Sequence, residues 1–268
     1  MSTEVEHRPR FRGGRALSDG HALYWWAELL AVLVFYAVYS AIRNIHGGSG
    51  HTPPHAFDHA RQIMSLEHHL GIYHERTFQQ WALHFRPLIL FGNYFYGSFH
   101  FIVTIFAGVF LYRNYSDEYP RFRNTLAITT AIALVGFTFY PLAPPRMFPG
   151  FVDTLLKDPA FWSFNSGGAA KVSNQFAAMP SVHIAWATWC ALALGPRLKN
   201  RAASTLAWCY PVITFIVIII TANHYILDAV AGLLILAIGW FVAKRVTRAG
   251  RSDPLIDPGT PSPSLPAS

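Results

Sequence analysis

The apolar residues of this chain fall into blocks long enough to cross a bilayer, and that property restricts the fold more than any other. About 20 apolar residues span a hydrocarbon core as a helix. Such blocks lie at about 22–42, 88–111, 123–141, 205–222 and 225–243, with a shorter one at 181–195 between Pro180 and the "GPR" of 195–197. Charged residues make up only 13% of the 268, about half of the roughly 25% usual in soluble domains. The expectation is an all-α, polytopic membrane protein with six transmembrane helices.

The first block follows a basic head, "RPRFRGGR", and is too long for the h-region of a cleaved signal peptide, roughly 7–15 residues. It reads as a retained first helix. The Pro- and Ser-rich stretch from Asp253 onward reads as disordered. The chain thus divides into a basic cytoplasmic head (1–21), a six-helix membrane domain (22–246) and a disordered cytoplasmic tail (247–268). Cys190 and Cys209 both fall in apolar blocks and read as buried thiols.

A net charge of +7 could signal nucleic acid, but the basic residues cluster at the ends of apolar blocks, where they set membrane topology. With the N-terminus inside, the inner segments carry Arg8, Arg10, Arg12 and Arg15, then Arg113, Arg121 and Arg123, then Arg197, Lys199 and Arg201, then Lys244, Arg245, Arg248 and Arg251. These are 14 of the 21 Lys and Arg, although the outer loops are longer in total. Nucleic acid is therefore not an expected partner; the bilayer is. The Arg-, Ala- and Pro-rich composition points to a bacterial inner membrane. In the first outer segment, 43–87, Phe57, Ile63, Leu66 and Leu70 of "FDHARQIMSLEHHLGIY" fall roughly on one face. They predict an amphipathic helix lying along the membrane surface.

This topology brings distant polar residues to one membrane face. His224 and Asp228 open the sixth span, His183 opens the fourth, and Arg146 follows the third, all at outer ends. Ionisable groups at such places are functional by default. His224 and Asp228 are i, i+4 neighbours, so the carboxylate can hold one ring nitrogen and leave the other as a nucleophile. His183 can protonate a leaving oxygen. It follows Ser181 at a helix N-terminus, where backbone N–H groups and the serine suit a phosphate, or where the serine is simply a cap. Arg146 offers a fork of donors to phosphate oxygens. Two histidines, a carboxylate and an arginine suffice for phosphoryl transfer through a phosphohistidine, which needs no cofactor and no metal. Histidines 51, 55, 59, 68, 69 and 74 crowd the first outer loop, but no spacing among them matches a firm metal signature.

"PPR", "PSVH" and "NHYILD" resemble the three motifs of the type 2 phosphatidic acid phosphatase superfamily of membrane lipid phosphatases and phosphotransferases. The resemblance runs from about Pro141 to Gly232. It implies that His224 becomes phosphorylated, Asp228 orients it, His183 is the general acid and base, and Arg146 clamps phosphate. Three departures stand out. Phe139 replaces the lysine seven residues before the arginine, Met147 replaces the proline after it, and Val217 and Ile218 replace the Ser-Arg before the third-motif histidine. Lacking those cations, the pattern is more similar to the inositol phosphorylceramide and sphingomyelin synthase branch. "LEHHLGI" at 66–72 and the Asn93, Tyr96, His100 series are similar to the inositolphosphotransferase-like bacterial group.

Asn93, Tyr96 and His100 form a polar stripe at i, i+3 and i+7 on the second span. They read either as interhelical hydrogen-bonders or as a lining for the substrate headgroup; Glu67 reads either as a group that helps to orient the headgroup or as half of a surface salt bridge. Glu28, near the inner end of the first span, could pair with another helix. The expected activity is transfer of a phospho-headgroup from a phosphorylated lipid to a hydroxyl acceptor: a lipid, a polyol or water. Water would make the enzyme a lipid phosphate phosphatase. A proton-coupled transporter is the reading from another class; it would place such residues nearer the midplane of repeated halves, and no repeat is visible.

Overall fold

The computed structural model describes residues 14–18, 22–47, 52–157 and 175–249. Most of the basic head and of the expected disordered tail, and the stretch 158–174, lie outside the described residues. A short hairpin, β1 (Gly14–Ala16) with β2 (Ala22–Tyr24), leads into α1 (Trp25–Gly47). Two shorter helices follow, α2 (Ala56–His69) and α3 (Glu75–Leu83), then the long pair α4 (Arg86–Asn114) and α5 (Tyr119–Phe139). A 3-10 turn (Pro145–Met147) and the single-turn α6 (Thr154–Lys157) precede α7 (Val182–Leu194), α8 (Arg201–Ile220) and α9 (Ile226–Ala249).

Each expected span is thus a helix, with ends displaced by a few residues. Four of them, α4, α5, α8 and α9, are long and apolar enough to cross a membrane, which fits an integral membrane protein. The other two are shorter apolar helices by the same measure. The 13 residues of α7 rise about 20 Å, against a hydrocarbon core of about 30 Å.

Helix α7 is wrapped in protein. It packs on α4, α5, α8 and α9, and Ile184, Ala185, Ala187, Trp189, Cys190 and Ala193 are buried. Its indoles are satisfied at that depth: Trp189 Nε1 donates to the Phe122 carbonyl (2.9 Å) and Trp186 Nε1 to Thr130 Oγ1 (3.0 Å). The outward faces of α4, α8 and α9 instead expose Ile102, Ile105, Leu206 and Phe241, as lipid-facing surfaces do. Cys209 lies on such a face, so of the two thiols expected to be buried only Cys190 is. Helices α5 and α9 meet through small residues: a Cβ on Gly239 would lie 2.3 Å from Thr129 Oγ1. Such close backbone approach is how helices pack where no hydrophobic drive acts between them.

At one end of the bundle the interhelical ion pairs hold the loops. Arg197 pairs with Glu118, and Arg123 with Glu28, which also accepts the Tyr119 hydroxyl at 3.1 Å. This is the partner foreseen for Glu28. Arg121 lies over the Trp240 ring, 4.1 Å from its centroid, and Asn200 caps α8 by accepting the Ala203 N–H.

At the other end α2 packs on the start of α9. Ala56, Ala60, Ile63 and Glu67 are buried, and Phe57 packs edge-on against Phe148 and Phe176. Of the four residues expected on its membrane-surface face, Ile63 is buried and Phe57 packs on the protein, whereas Leu66 and Leu70 are 48% and 56% exposed. Small residues and a carboxylate face the protein, so the bulky leucines point away.

Candidate active site

The turn between α8 and α9 delivers the first part of the site. Thr221 Oγ1 donates to the Val217 carbonyl (2.6 Å), and the N–H groups of Ala222 and Asn223 reach back to Ile219 and Ile218. Ala222 adopts φ 52°, a left-handed conformation that is uncommon for a residue with a Cβ. Its carbonyl accepts the Arg146 N–H at 2.9 Å. Arg146 Nη1 donates to Asn223 Oδ1 (2.6 Å), and its Nε lies 3.4 Å from Asp153 Oδ2. The arginine is thereby fixed to the two residues that precede His224.

His224 is 2% exposed. Its Nδ1 is 2.9 Å from the Ala178 carbonyl and 3.3 Å from Asp228 Oδ2. A carbonyl only accepts, so Nδ1 carries the proton and Nε2 presents its lone pair. That Nε2 is buried without a hydrogen-bond partner. Asp228 Oδ2 also accepts the Tyr225 N–H at 2.9 Å, so the carboxylate ties the histidine to the turn that carries it.

The N-terminus of α7 docks on the same turn of α9. The Ser181 N–H donates to the Asp228 carbonyl (2.9 Å), and Gly232 admits the Ser181 backbone where a Cβ would lie 2.4 Å from its oxygen. Ser181 occupies the cap position, yet its side chain makes no capping bond, and its buried Oγ has no partner. The His183 ring meets that of His224 edge-on, with centroids 5.5 Å apart, and its Nε2 too is buried and unpartnered.

Helix α4 closes the cluster. Tyr96 stacks on His183 (centroids 4.2 Å), and His100 meets His183 edge-on (4.5 Å) with its Nδ1 on the Tyr96 carbonyl. Asn93 stands apart from these two. Its Nδ2 donates to the Thr154 carbonyl and its Oδ1 accepts the Thr154 hydroxyl, both at 2.9 Å. With Gln79, which grips the Val152 backbone at both N–H and C=O, it clamps the segment carrying Asp153. Glu67 lies under the first turn of α9, where its Oε1 accepts the Leu227 N–H (2.8 Å).

The structure therefore brings His224, Asp228, His183, Ser181, Arg146, Tyr96 and His100 together, and puts Asn93 and Glu67 in supporting positions. Four groups were not foreseen: the Ala178 carbonyl, Asn223, Asp153 and Glu75. Asn223 had a signal, being a polar residue next to His224 inside an apolar run. A carbonyl has none. Phe139, in the position of an absent lysine, is 79% exposed, whereas Val217 and Ile218, in the positions of the Ser-Arg pair, are buried in the core.

The fold and cluster define a helical membrane protein whose buried centre pairs two histidines, one held by a carboxylate, beside an arginine. A family model described as the PAP2 superfamily matches residues 61–242, and the chain belongs to that superfamily. Its members are phosphatases or phosphotransferases acting on phosphoesters, with phosphorylated lipids in membranes as their substrates. No curated protein and no solved structure matches the chain.

Proposed function

We propose that the protein is a lipid phospho-headgroup transferase working through a phosphohistidine on His224. One observation carries the reading: Nδ1 of His224 is engaged by an oxygen that can only accept, while the Nε2 atoms of both facing histidines are buried and unpartnered.

In the first half-reaction His224 Nε2 attacks phosphorus and the bond to the departing lipid oxygen breaks. A protonated His183 gives that oxygen its proton. Arg146, the buried Ser181 hydroxyl and the α7 N-terminus hold the phosphate oxygens. In the second half-reaction His183 takes a proton from the acceptor hydroxyl, whose oxygen attacks phosphorus and releases His224. Asp228 steadies the histidine while it carries positive charge.

Two features support a phosphodiester substrate. The positions of two expected cations are occupied by Phe139 and Val217–Ile218, and Arg146 already faces Asp153. A less cationic site suits a diester with one charge better than a monoester with roughly two. We further propose that α1 and α7 complete six crossings, that α2 and α3 lie at the interface, and that the site opens to the extracytoplasmic leaflet. The inner placement of Arg and Lys supports that orientation.

Phosphatase activity is the second reading, and the same nucleophile serves it. Purified protein in nanodiscs containing phosphatidic acid, phosphatidylinositol and polyprenyl phosphate separates the two by mass spectrometry. A headgroup-exchanged lipid without free phosphate, lost in His224→Ala, is expected. Free phosphate from a monoester, lost in the same variant, would replace the transferase with a phosphatase.

A further inference from the structure

Two carboxyl groups lie buried beneath the helix that follows His224, and the mechanism uses neither. Glu67 on α2 and Glu75 on α3 are both 0% exposed. Glu75 Oε1 accepts the Ile226 N–H (2.9 Å) and Glu67 Oε1 the Leu227 N–H (2.8 Å). Asp228 takes the Tyr225 N–H. Three successive N–H groups at the start of α9, which a helix cannot satisfy internally, are thus held by three carboxyls from three helices. The second oxygens, Glu67 Oε2 and Glu75 Oε2, have no donor although both are buried. Two carboxylate oxygens cannot satisfy each other; a proton between them can.

We propose that Glu67 and Glu75 are positioning residues that share one proton, and that this pair clamps the first turn of α9 and so fixes the ring of His224. Burial, then the hydrogen bond that a protonated Glu67 donates to the facing Glu75 side chain, pushes Glu67 up to about 9, against the opposing pull of the Leu227 N–H; the charges of Glu75 and Asp228 raise it further. Tyr73 and Tyr225 are the other titratable groups that face the pair, with Arg76 next to Tyr73, and burial raises the Tyr73 phenol. The shared proton lets two acids sit at one helix start. Without it two adjacent negative charges would repel each other and Asp228. With it the amides next to the nucleophile keep their partners, and α2 and α3 are tied to the catalytic turn.

The clamp rests on His224 as nucleophile only for its catalytic consequence, so the test reads structure and turnover separately. Full-length protein in nanodiscs would be compared with Glu67→Gln, Glu67→Ala and His224→Ala. Glutamine keeps both bonds, its oxygen accepting Leu227 N–H and its amide donating to Glu75. Wild type is expected to show an infrared band of a protonated buried carboxyl at neutral pH, absent in Glu67→Gln.

Glu67 keeps in the folded state a proton that the unfolded chain releases near 4.5, so stability falls as pH rises from about 4.5 to about 9 and levels above. Glu67→Gln flattens that slope and keeps kcat within about threefold. Glu67→Ala speeds amide exchange at Ile226 and Leu227 and lowers kcat about tenfold or more at similar KM, the scale of one lost buried bond to a charged group. His224→Ala loses turnover and keeps the band and the slow exchange, which separates a failed clamp from a failed phosphohistidine. No protonated carboxyl at neutral pH, or an unchanged pH slope in Glu67→Gln, would overturn the proposal.

Discussion

Replacing Gly232 with alanine should separate the two histidines without touching either. Gly232 lies one turn beyond Asp228 on α9, against the backbone that starts α7. A Cβ there would sit 2.4 Å from the Ser181 oxygen and 3.3 Å from its carbonyl carbon. Ordinary contact begins near 3.4 Å, so the N-terminus of α7 must retreat by about 1 Å. The groups it hits are main chain and cannot rotate away. His183 is two residues from Ser181 and moves with it, whereas His224 stays with α9. A displacement of about 1 Å at reacting groups costs on the order of 10²-fold in rate. Overpacking costs about 1–3 kcal/mol of stability, offset by roughly 1 kcal/mol of helix propensity gained from losing a glycine. The control is Gly108→Ala in α4, where a new Cβ meets nothing within 4 Å. Turnover in nanodiscs and thermal unfolding would be measured together. A kcat loss near 10²-fold is expected for Gly232→Ala with a modest fall in Tm, and wild-type turnover for Gly108→Ala. Wild-type kcat in Gly232→Ala would show that this close approach does not set the histidine geometry.

Other substitutions probe separate contacts. Asp228→Asn keeps an acceptor for the Tyr225 N–H and leaves Ala178 to fix the tautomer, so kcat should fall on the order of 10²-fold, short of the about 10⁴-fold loss where a carboxylate alone sets the tautomer; steady-state kinetics would read it. Arg146→Lys removes the fork that engages Asn223 and Asp153, and kcat/KM should drop about 10- to 100-fold, as for one or two charged hydrogen bonds. Asn93→Ala frees the buried Thr154 hydroxyl and carbonyl and should cost about 1–3 kcal/mol in unfolding experiments. Its effect on turnover should follow Asp153→Asn, because both act through Arg146.

The fold was legible where apolar length decides it. Long helices stand where the long apolar blocks stand, and even the short α7 is bounded as Pro180 and "GPR" suggested. What was not legible in α2 was the burial of Glu67, since a carboxylate in a polar outer segment reads as exposed. Packing against the start of α9 reverses this, since unpaired N–H groups there attract a carboxylate more than a leucine. In the site, His224, Asp228 and His183 were readable because ionisable residues at spaced positions of apolar helices are costly without a use. The groups that hold them were harder to see. Ala178 acts through its carbonyl, which every residue has. Asp153 and Glu75 lie in polar stretches where acids are ordinary. Asn93 read as one stripe with Tyr96 and His100, yet it turns to the Thr154 segment while the other two turn to His183.

In the proposed mechanism His224 carries the phospho-group between the two half-reactions. Rapid acid-free quenching of the enzyme during turnover of phosphatidylinositol, followed by peptide mass spectrometry, tests it most directly. A phosphoramidate adduct on His224, absent in His224→Ala and released when the acceptor is added, is expected. Turnover at full rate with no adduct on His224 at any time, or an adduct on His183 instead, would contradict it.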